Sequence, residues 1–73
     1  MLIDTIEILM KDLGFSEEMY LVRENGEDVI VEVDDYEAAK YILKMCEKEN
    51  YCKNIVGDYS RNGKRHRITF FMW

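Results

Sequence analysis

The sequence predicts an α+β fold: a two-layer sandwich in αββαββ order, with a four-stranded antiparallel sheet and two helices on one of its faces. Two observations lead to this prediction. Apolar residues recur at three- and four-residue steps in two separate segments, which is typical of amphipathic helices. Each segment is followed by two β-rich runs joined by an Asn-Gly pair, at 25–26 and again at 62–63, and that pattern predicts a hairpin.

The first helix is predicted from an apolar stripe at the start of the chain. The stripe consists of Leu2, Ile3, Ile6, Leu9, Met10 and Leu13. Gly14 suits the left-handed position that follows a helix end, and Phe15 can then contact the last turn. The helix is therefore expected to stop at Gly14.

The first hairpin takes its predicted register from its Asn-Gly pair. If Asn25 and Gly26 occupy the centre of a type I′ turn, Arg23 lies opposite Asp28 and Tyr20 lies opposite Val31. The sheet order is left open by this argument, because either strand of each hairpin could lie at the centre.

A capping box at Asp34 and Glu37 predicts the start of the second helix. The helical pattern continues from there to Asn50. Its apolar stripe is made of Ala39, Ile42, Leu43 and Cys46.

The same turn rule applied to the last hairpin splits its side chains between two faces. Tyr59 is expected opposite His66 and Gly57 opposite Ile68 on the helix side. Asp58 is expected opposite Arg67 on the other side. The residues predicted to share that uncovered side are Arg65, Arg67 and Phe71, with Trp73 next along the strand.

Length and composition indicate one small domain, residues 1–73, in which 48% of the residues are hydrophobic. The repeated helix-hairpin order is also that of two αββ units, 1–36 and 37–73. A chain this short buries only about 60% of the surface that its unfolded state exposes. A homodimer that completes the core is therefore one expectation.

Charge is distributed unevenly along the chain. Residues 1–37 hold 12 acids and 2 bases, a net charge of −10, whereas residues 38–73 hold 3 acids and 8 bases, a net charge of +5. Four Lys or Arg residues and the single His fall between Arg61 and Arg67. The sequence therefore predicts two electrically different surfaces.

No motif for catalysis or cofactor binding is present, so the chain is predicted to be non-enzymatic and to use no cofactor or metal. Cys46 and Cys52 with one His cannot supply the four ligands of a zinc site within one chain. His66 has no nucleophile predicted beside it and is expected to hydrogen-bond Tyr59 instead.

Two groups of residues are candidate partner-binding sites. Arginine and aromatic side chains on an uncovered sheet face are typical of single-stranded nucleic-acid binders and also of protein-binding hot spots; this group is Arg65, Arg67, Phe71 and Trp73. Acidic side chains around the first hairpin could imitate a phosphate backbone or could simply keep the protein soluble. This second group includes Glu24, Glu27, Asp28 and Glu32.

The sequence therefore predicts a small acidic protein that acts by binding another protein. In size, acidity and lack of catalytic motifs it is similar to the inhibitors encoded by phages and other mobile elements, including anti-CRISPR proteins, although no motif carries that similarity. Alternatives are a single-stranded RNA or DNA binder and a homodimeric structural or adaptor subunit. A cytoplasmic location without membrane attachment is expected, because the apolar start of the chain is far shorter than a membrane span.

Overall fold

A computed structural model describes residues 1–48 and 53–73. The elements are α1 (Leu2–Asp12), a 3₁₀ turn (Glu17–Met19), β1 (Tyr20–Asn25), β2 (Asp28–Val33), α2 (Tyr36–Lys48), β3 (Ile55–Asn62) and β4 (Arg65–Met72). The predicted αββαββ order and the four-stranded antiparallel sheet are confirmed. Cys52 and the predicted helix end at Asn50 lie outside the described residues.

The end of α1 is a complete Schellman motif, as Gly14 predicted. Gly14 has φ +88°, and its N–H donates to the carbonyl of Lys11 at 3.0 Å. The N–H of Phe15 donates to the carbonyl of Met10, also at 3.0 Å. These two bonds satisfy carbonyls that a helix end would otherwise leave free.

The residue that caps α2 lies one position later than the capping box predicted, although the helix begins at Tyr36, where the predicted helical run began. Asp35, not Asp34, caps the helix, because its Oδ1 accepts a hydrogen bond from the N–H of Ala38 at 2.6 Å. Asp34 is thereby left outside the helix, where it pairs with Arg65.

Both hairpin turns are centred one residue later than predicted. Gly26 and Gly63 have φ values of +66° and +63°, and no non-glycine residue of the described chain has positive φ. Asn25 pairs with Asp28, and Asn62 pairs with Arg65, as ordinary strand residues. A positive φ at the first central position alone is the requirement of a type II′ turn, which glycine meets without strain.

The predicted cross-strand partners were therefore wrong by two residues in both hairpins. Arg23 lies opposite Ile30 rather than Asp28, and Asp58 lies opposite Thr69 rather than Arg67. In the same way the partners are Tyr20 with Val33, Tyr59 with Ile68, Gly57 with Phe70 and Arg61 with His66. A shift by two leaves each side chain on its predicted face, because side chains alternate with a period of two.

The strands follow the order β1-β2-β4-β3, so the second strand of each hairpin lies at the centre. β2 and β4 are antiparallel neighbours in which Val29 pairs with Phe70 and Val33 pairs with His66. The turn at 26–27 therefore lies at the end of the sheet where β4 finishes. The turn at 63–64 lies at the opposite end, beside the end of β2.

The core lies between the helices and one face of the sheet. Its fully buried side chains come from both helices and the central strands and include Ile6, Leu9, Ile42, Val31, Ile68 and Phe70. Gly57 allows α2 to approach β3, since an added Cβ would lie 2.8 Å from Leu43 Cδ2. No helix in the described part of the chain is long and apolar enough to cross a membrane.

Candidate interaction surface

We use the term open face for the side of the sheet that the helices do not cover. Strand alternation places there Leu21 and Arg23 from β1, Ile30 and Glu32 from β2, Arg65, Arg67, Thr69 and Phe71 from β4, and Val56, Asp58 and Ser60 from β3. The predicted uncovered-side residues Arg65, Arg67 and Phe71 all belong to this face, and each is partly buried.

Glu32 is the buried centre of the charged part of the open face. It is only 4% exposed, and its Oε1 accepts a hydrogen bond from Arg23 Nη1 at 2.8 Å. Its second carboxylate oxygen lies 4.0 Å from Arg65 Nε. A buried carboxylate is tolerated only when charges and hydrogen bonds of this kind compensate its lost hydration. Glu32 is thus grouped with the arginines, whereas the sequence pattern had grouped it with the acidic residues.

Arg65 is held by three contacts at the end of the sheet that carries the second turn. Its Nη1 lies 2.9 Å from Asp34 Oδ1, and its Nη2 donates to the backbone carbonyl of Glu32 at 3.3 Å. Together with the Glu32 carboxylate, these contacts fix the direction of the guanidinium. Two of the three open-face arginines, Arg23 and Arg65, therefore have a carboxylate partner within the chain.

Arg67 is the third arginine of the open face, and it has no such partner. It lies opposite Glu32 on β2 and opposite Ser60 on β3. It forms neither a hydrogen bond nor an ion pair with any residue that the structure describes, and its Nε is enclosed without an acceptor. Asp58, which was predicted opposite Arg67, lies opposite Thr69 instead, and it forms no ion pair with Arg67 in the described part of the chain.

The other end of the open face is aromatic and acidic. Because Val29 pairs with Phe70, Asp28 lies beside Phe71 on the neighbouring strand. Trp73 follows β4, with its N–H donating to the carbonyl of Asn54 at 2.8 Å and with 89% of its surface exposed. Its ring is therefore available to a partner.

The acidic tip, defined as Glu24, Glu27 and Asp28, lies at this aromatic end. Glu24 and Glu27 are exposed, and Asp28 is partly buried. The pairing of β2 with β4 thus brings residues from both halves of the chain onto one sheet. Asp28 therefore shares the open face with the arginines of β4, whereas Glu24 pairs with Val29 and lies on the helix side of the sheet.

Arg65 and Trp73 do not form one compact patch. They lie at opposite ends of β4, and a strand rise of about 3.3 Å per residue separates them by roughly 25 Å. Arg67 lies between them, closer to Arg65 than to Trp73. The predicted arginine-aromatic group is therefore an extended strip.

His66 lies on the helix side of the sheet, as predicted, and its Nδ1 is 2.7 Å from the hydroxyl of Tyr59. The predicted hydrogen bond between these two residues is confirmed, although they are not directly opposite each other. The ring of Tyr36 packs edge-on against Tyr59 at 5.5 Å, and Lys40 Nζ lies 5.1 Å above Tyr36.

Sequence reasoning missed two residues of this arrangement. Arg23 was paired only with Asp28, and Asp34 was assigned to a helix cap. The alternation of Leu21 and Arg23 places Arg23 on the open face, which is a signal that the sequence does contain. No pattern among neighbouring residues identifies Asp34 as the partner of Arg65, because the two residues are distant along the chain.

Among residues 1–48 and 53–73, no group of three His, Cys, Asp or Glu side chains is arranged to hold a metal ion. Comparison with models of known protein families, with curated proteins and with solved structures found no match.

Proposed function

We propose that this chain is a non-enzymatic binding protein that engages another protein through the open face. The observation that carries the proposal is the pairing of β2 with β4. That pairing makes one continuous surface, with Arg67, which has no partner among the described residues, toward one end and with aromatic and acidic side chains at the other.

The composition of this surface favours a protein partner. Trp, Phe and Arg are enriched at protein interfaces, and Trp and Arg are enriched among the residues that dominate binding energy. Leu21 and Trp73 are 59% and 89% exposed, so both offer apolar area that an interface would bury. A protein surface can complement such a strip with apolar and charged groups together.

The charge balance argues against nucleic acid as the main ligand. Arg23 and Arg65 are each neutralised by a carboxylate of the chain, and Asp58 adds a further negative charge to the same face. The net charge of the whole chain is −5, which repels a polyanion. A single-stranded RNA or DNA binder is the weaker candidate for this reason.

Glu32 supports the proposal by holding arginine side chains in place. A free arginine loses rotamer entropy when a partner immobilises it, which costs about 0.5–1.5 kcal/mol. The hydrogen bond from Arg23 and the short distance to Arg65 restrict these side chains before any partner arrives. The cost of ordering them on binding is correspondingly lower.

A second candidate function is inhibition of a nucleic-acid-binding protein. The adjacency of Asp28 to Phe71 favours it, because carboxylates beside aromatic rings could occupy a basic site that normally takes phosphates and bases. In this mode the acidic tip would contact the partner first. Charge reversal at Glu24 or Glu27 would then abolish binding, whereas substitution of Arg67 would not.

Affinity capture from cells of the source organism tests the proposed function. Wild type is compared with Arg67→Glu and Trp73→Ala on the open face. The matched control is Lys44→Glu on the exposed side of α2, which changes the net charge by the same amount as Arg67→Glu. We expect a protein that wild type and Lys44→Glu retain and that both open-face variants lose.

Two outcomes decide between the candidates. A captured protein that is lost with Glu27→Lys and retained by Arg67→Glu indicates the inhibitor-like mode. Captured proteins that are the same for wild type and every open-face variant contradict the proposed use of this face.

A further inference from the structure

We infer that the partner of the open face is a second copy of this chain, in a two-fold dimer that packs open face against open face. The inference rests on the proposed function, since it names the partner of the same surface.

The two ends of the open face are complementary to each other. One end carries Asp28 and Phe71, with Glu27 in the adjoining turn, and the other carries Arg65 and Arg67. In one molecule the tip cannot reach Arg67, because both belong to the same rigid sheet. A second molecule can bring its own tip there.

A single symmetry operation makes both contacts at once. The axis lies midway between the two packed sheets, parallel to both of them, and runs roughly perpendicular to the strands. Rotation by half a turn about it places one open face against the other and exchanges the ends, so that each acidic tip lies over the arginines of the other copy. A two-fold interface of this kind is self-complementary and closed.

Arg67 is the specific group that this arrangement satisfies. Arg23 and Arg65 already have carboxylate partners, whereas Arg67 has none among the described residues. Glu27, exposed at the centre of the first turn, is the tip carboxylate that we assign to Arg67 of the partner copy. The dimer then contains this pair twice.

The dimensions of the face fit a stable dimer. The chain extends over 29 × 26 × 19 Å, and its largest face is close to the roughly 800 Å² per partner of a standard protein interface. Packed sheets lie about 10 Å apart, with their side chains interdigitated. The dimer would cover Leu21, Val56 and Phe71, which the helices leave uncovered.

Sedimentation of the purified full chain across a wide range of concentration tests the inference. We expect wild type to shift to twice the mass of one chain as concentration rises. Arg67→Glu and Glu27→Lys should each weaken the dimer by roughly tenfold or more, because each change removes an interfacial charge pair twice. Lys44→Glu, with the same charge change as Arg67→Glu, should leave the dimer intact.

Mixing the two single variants is the decisive step. A chain with Arg67→Glu and a chain with Glu27→Lys restore attraction at both symmetric contacts, so the mixture should dimerise although neither variant does so alone. Recovery in the mixture also shows that both variants are folded. A mixture that stays monomeric, or a wild-type dimer that neither variant weakens, overturns the inference.

The inference and the proposed function fail in different ways. A wild-type chain that is monomeric at every concentration overturns the inference alone, if affinity capture yields a different protein through the open face. Capture that is insensitive to Arg67→Glu and Trp73→Ala contradicts the proposed function itself.

Discussion

Arg23 and Glu32 meet diagonally across the first hairpin, with Arg23 Nη1 donating to Glu32 Oε1 at 2.8 Å. Arg23 lies opposite Ile30, and Glu32 lies opposite Leu21. The contact spans the diagonal of the strand pair, a distance that a long side chain can cover. The turn that begins at Gly26 rather than Asn25 creates this contact, because it places Ile30 opposite Arg23 and brings Glu32 into a diagonal position.

Removal of the Glu32 carboxylate should destabilise the protein. Glu32→Gln leaves Arg23 and Arg65 without their central counter-charge, and we expect a loss of about 1–2 kcal/mol, moderated because Arg23 is half exposed. Thermal unfolding should show a lower Tm. The double variant Arg23→Gln/Glu32→Gln should lose less than the sum of the single losses, and strict additivity would show that the two side chains do not interact.

Gly57→Ala should destabilise the protein through overpacking. The new methyl group would lie 2.8 Å from Leu43 Cδ2 and 3.1 Å from Phe70 Cε1, and overpacking of this kind costs about 1–3 kcal/mol. Urea unfolding measures the change. In a Leu43→Ala background the same Gly57→Ala change should cost less than in wild type, because the shortened side chain makes room for the methyl group. Unchanged stability of Gly57→Ala would contradict the close approach of α2 to β3.

The turn centre can be tested by comparing Gly26→Ala with Asn25→Ala. Gly26 has positive φ, so alanine there should cost about 1–2 kcal/mol. Asn25 is a strand residue paired with Asp28, and its replacement should cost less than about 0.5 kcal/mol. Chemical denaturation of both variants gives the comparison. Equal losses would favour a type I′ turn centred on Asn25 and Gly26.

The free energy of unfolding should fall at alkaline pH because the Tyr20 hydroxyl ionises more readily in the unfolded state. Burial raises the pKa of the Tyr20 hydroxyl above the ordinary 10.0, and the carboxylates of Glu17 and Glu7 raise it further. The folded state therefore keeps this proton at pH values where the unfolded state has lost it. The contribution of protonated Tyr20 to the free energy of unfolding is fully present below pH 10.0. It is lost as the pH rises toward and through the higher pKa that Tyr20 has in the folded state.

Comparison of wild type with Tyr20→Phe isolates this effect from the other tyrosines and the lysines. The free energy of unfolding of wild type should decline more steeply above pH 10.0 than that of the variant, by at most about 1.4 kcal/mol per pH unit. Parallel pH profiles for the two proteins would show that Tyr20 is not responsible.

Trp73 fluorescence should not respond to single-stranded oligonucleotides at low salt. The ring is the single tryptophan of the chain and is 89% exposed, so a bound base that stacked on it would quench its emission. The titration is repeated at high salt. Saturable quenching that weakens as salt rises would support the nucleic-acid binder and contradict the proposed preference for protein.

Much of the fold was predictable because its signals are local. The stripe that ends at Leu13, the stop at Gly14 and the β-rich runs beside Gly26 and Gly63 depend on residues only a few positions apart. The turn register was predicted less well. An Asn-Gly pair fits both a type I′ turn with Asn at the centre and a type II′ turn with only Gly there.

The interaction surface was predictable only in part. The side-chain alternation correctly placed Arg65, Arg67 and Phe71 on the uncovered side of the sheet. It could not identify Asp34 as the partner of Arg65 or Glu32 as a buried residue. Those contacts join β2 to β4, and no local pattern determines which strands become neighbours.

The sequence by itself determined the order of helices and hairpins and the face on which each strand residue lies, because periodicity and glycine conformation act over a few residues. Only the tertiary structure decided the strand order β1-β2-β4-β3, and with it the position of Glu32 among the arginines and of Asp28 beside Phe71. The physical reason is that β2 and β4 carry the side chains that both helices bury. Burying them together at the centre of the sheet brings the acidic and basic halves of the chain onto one surface.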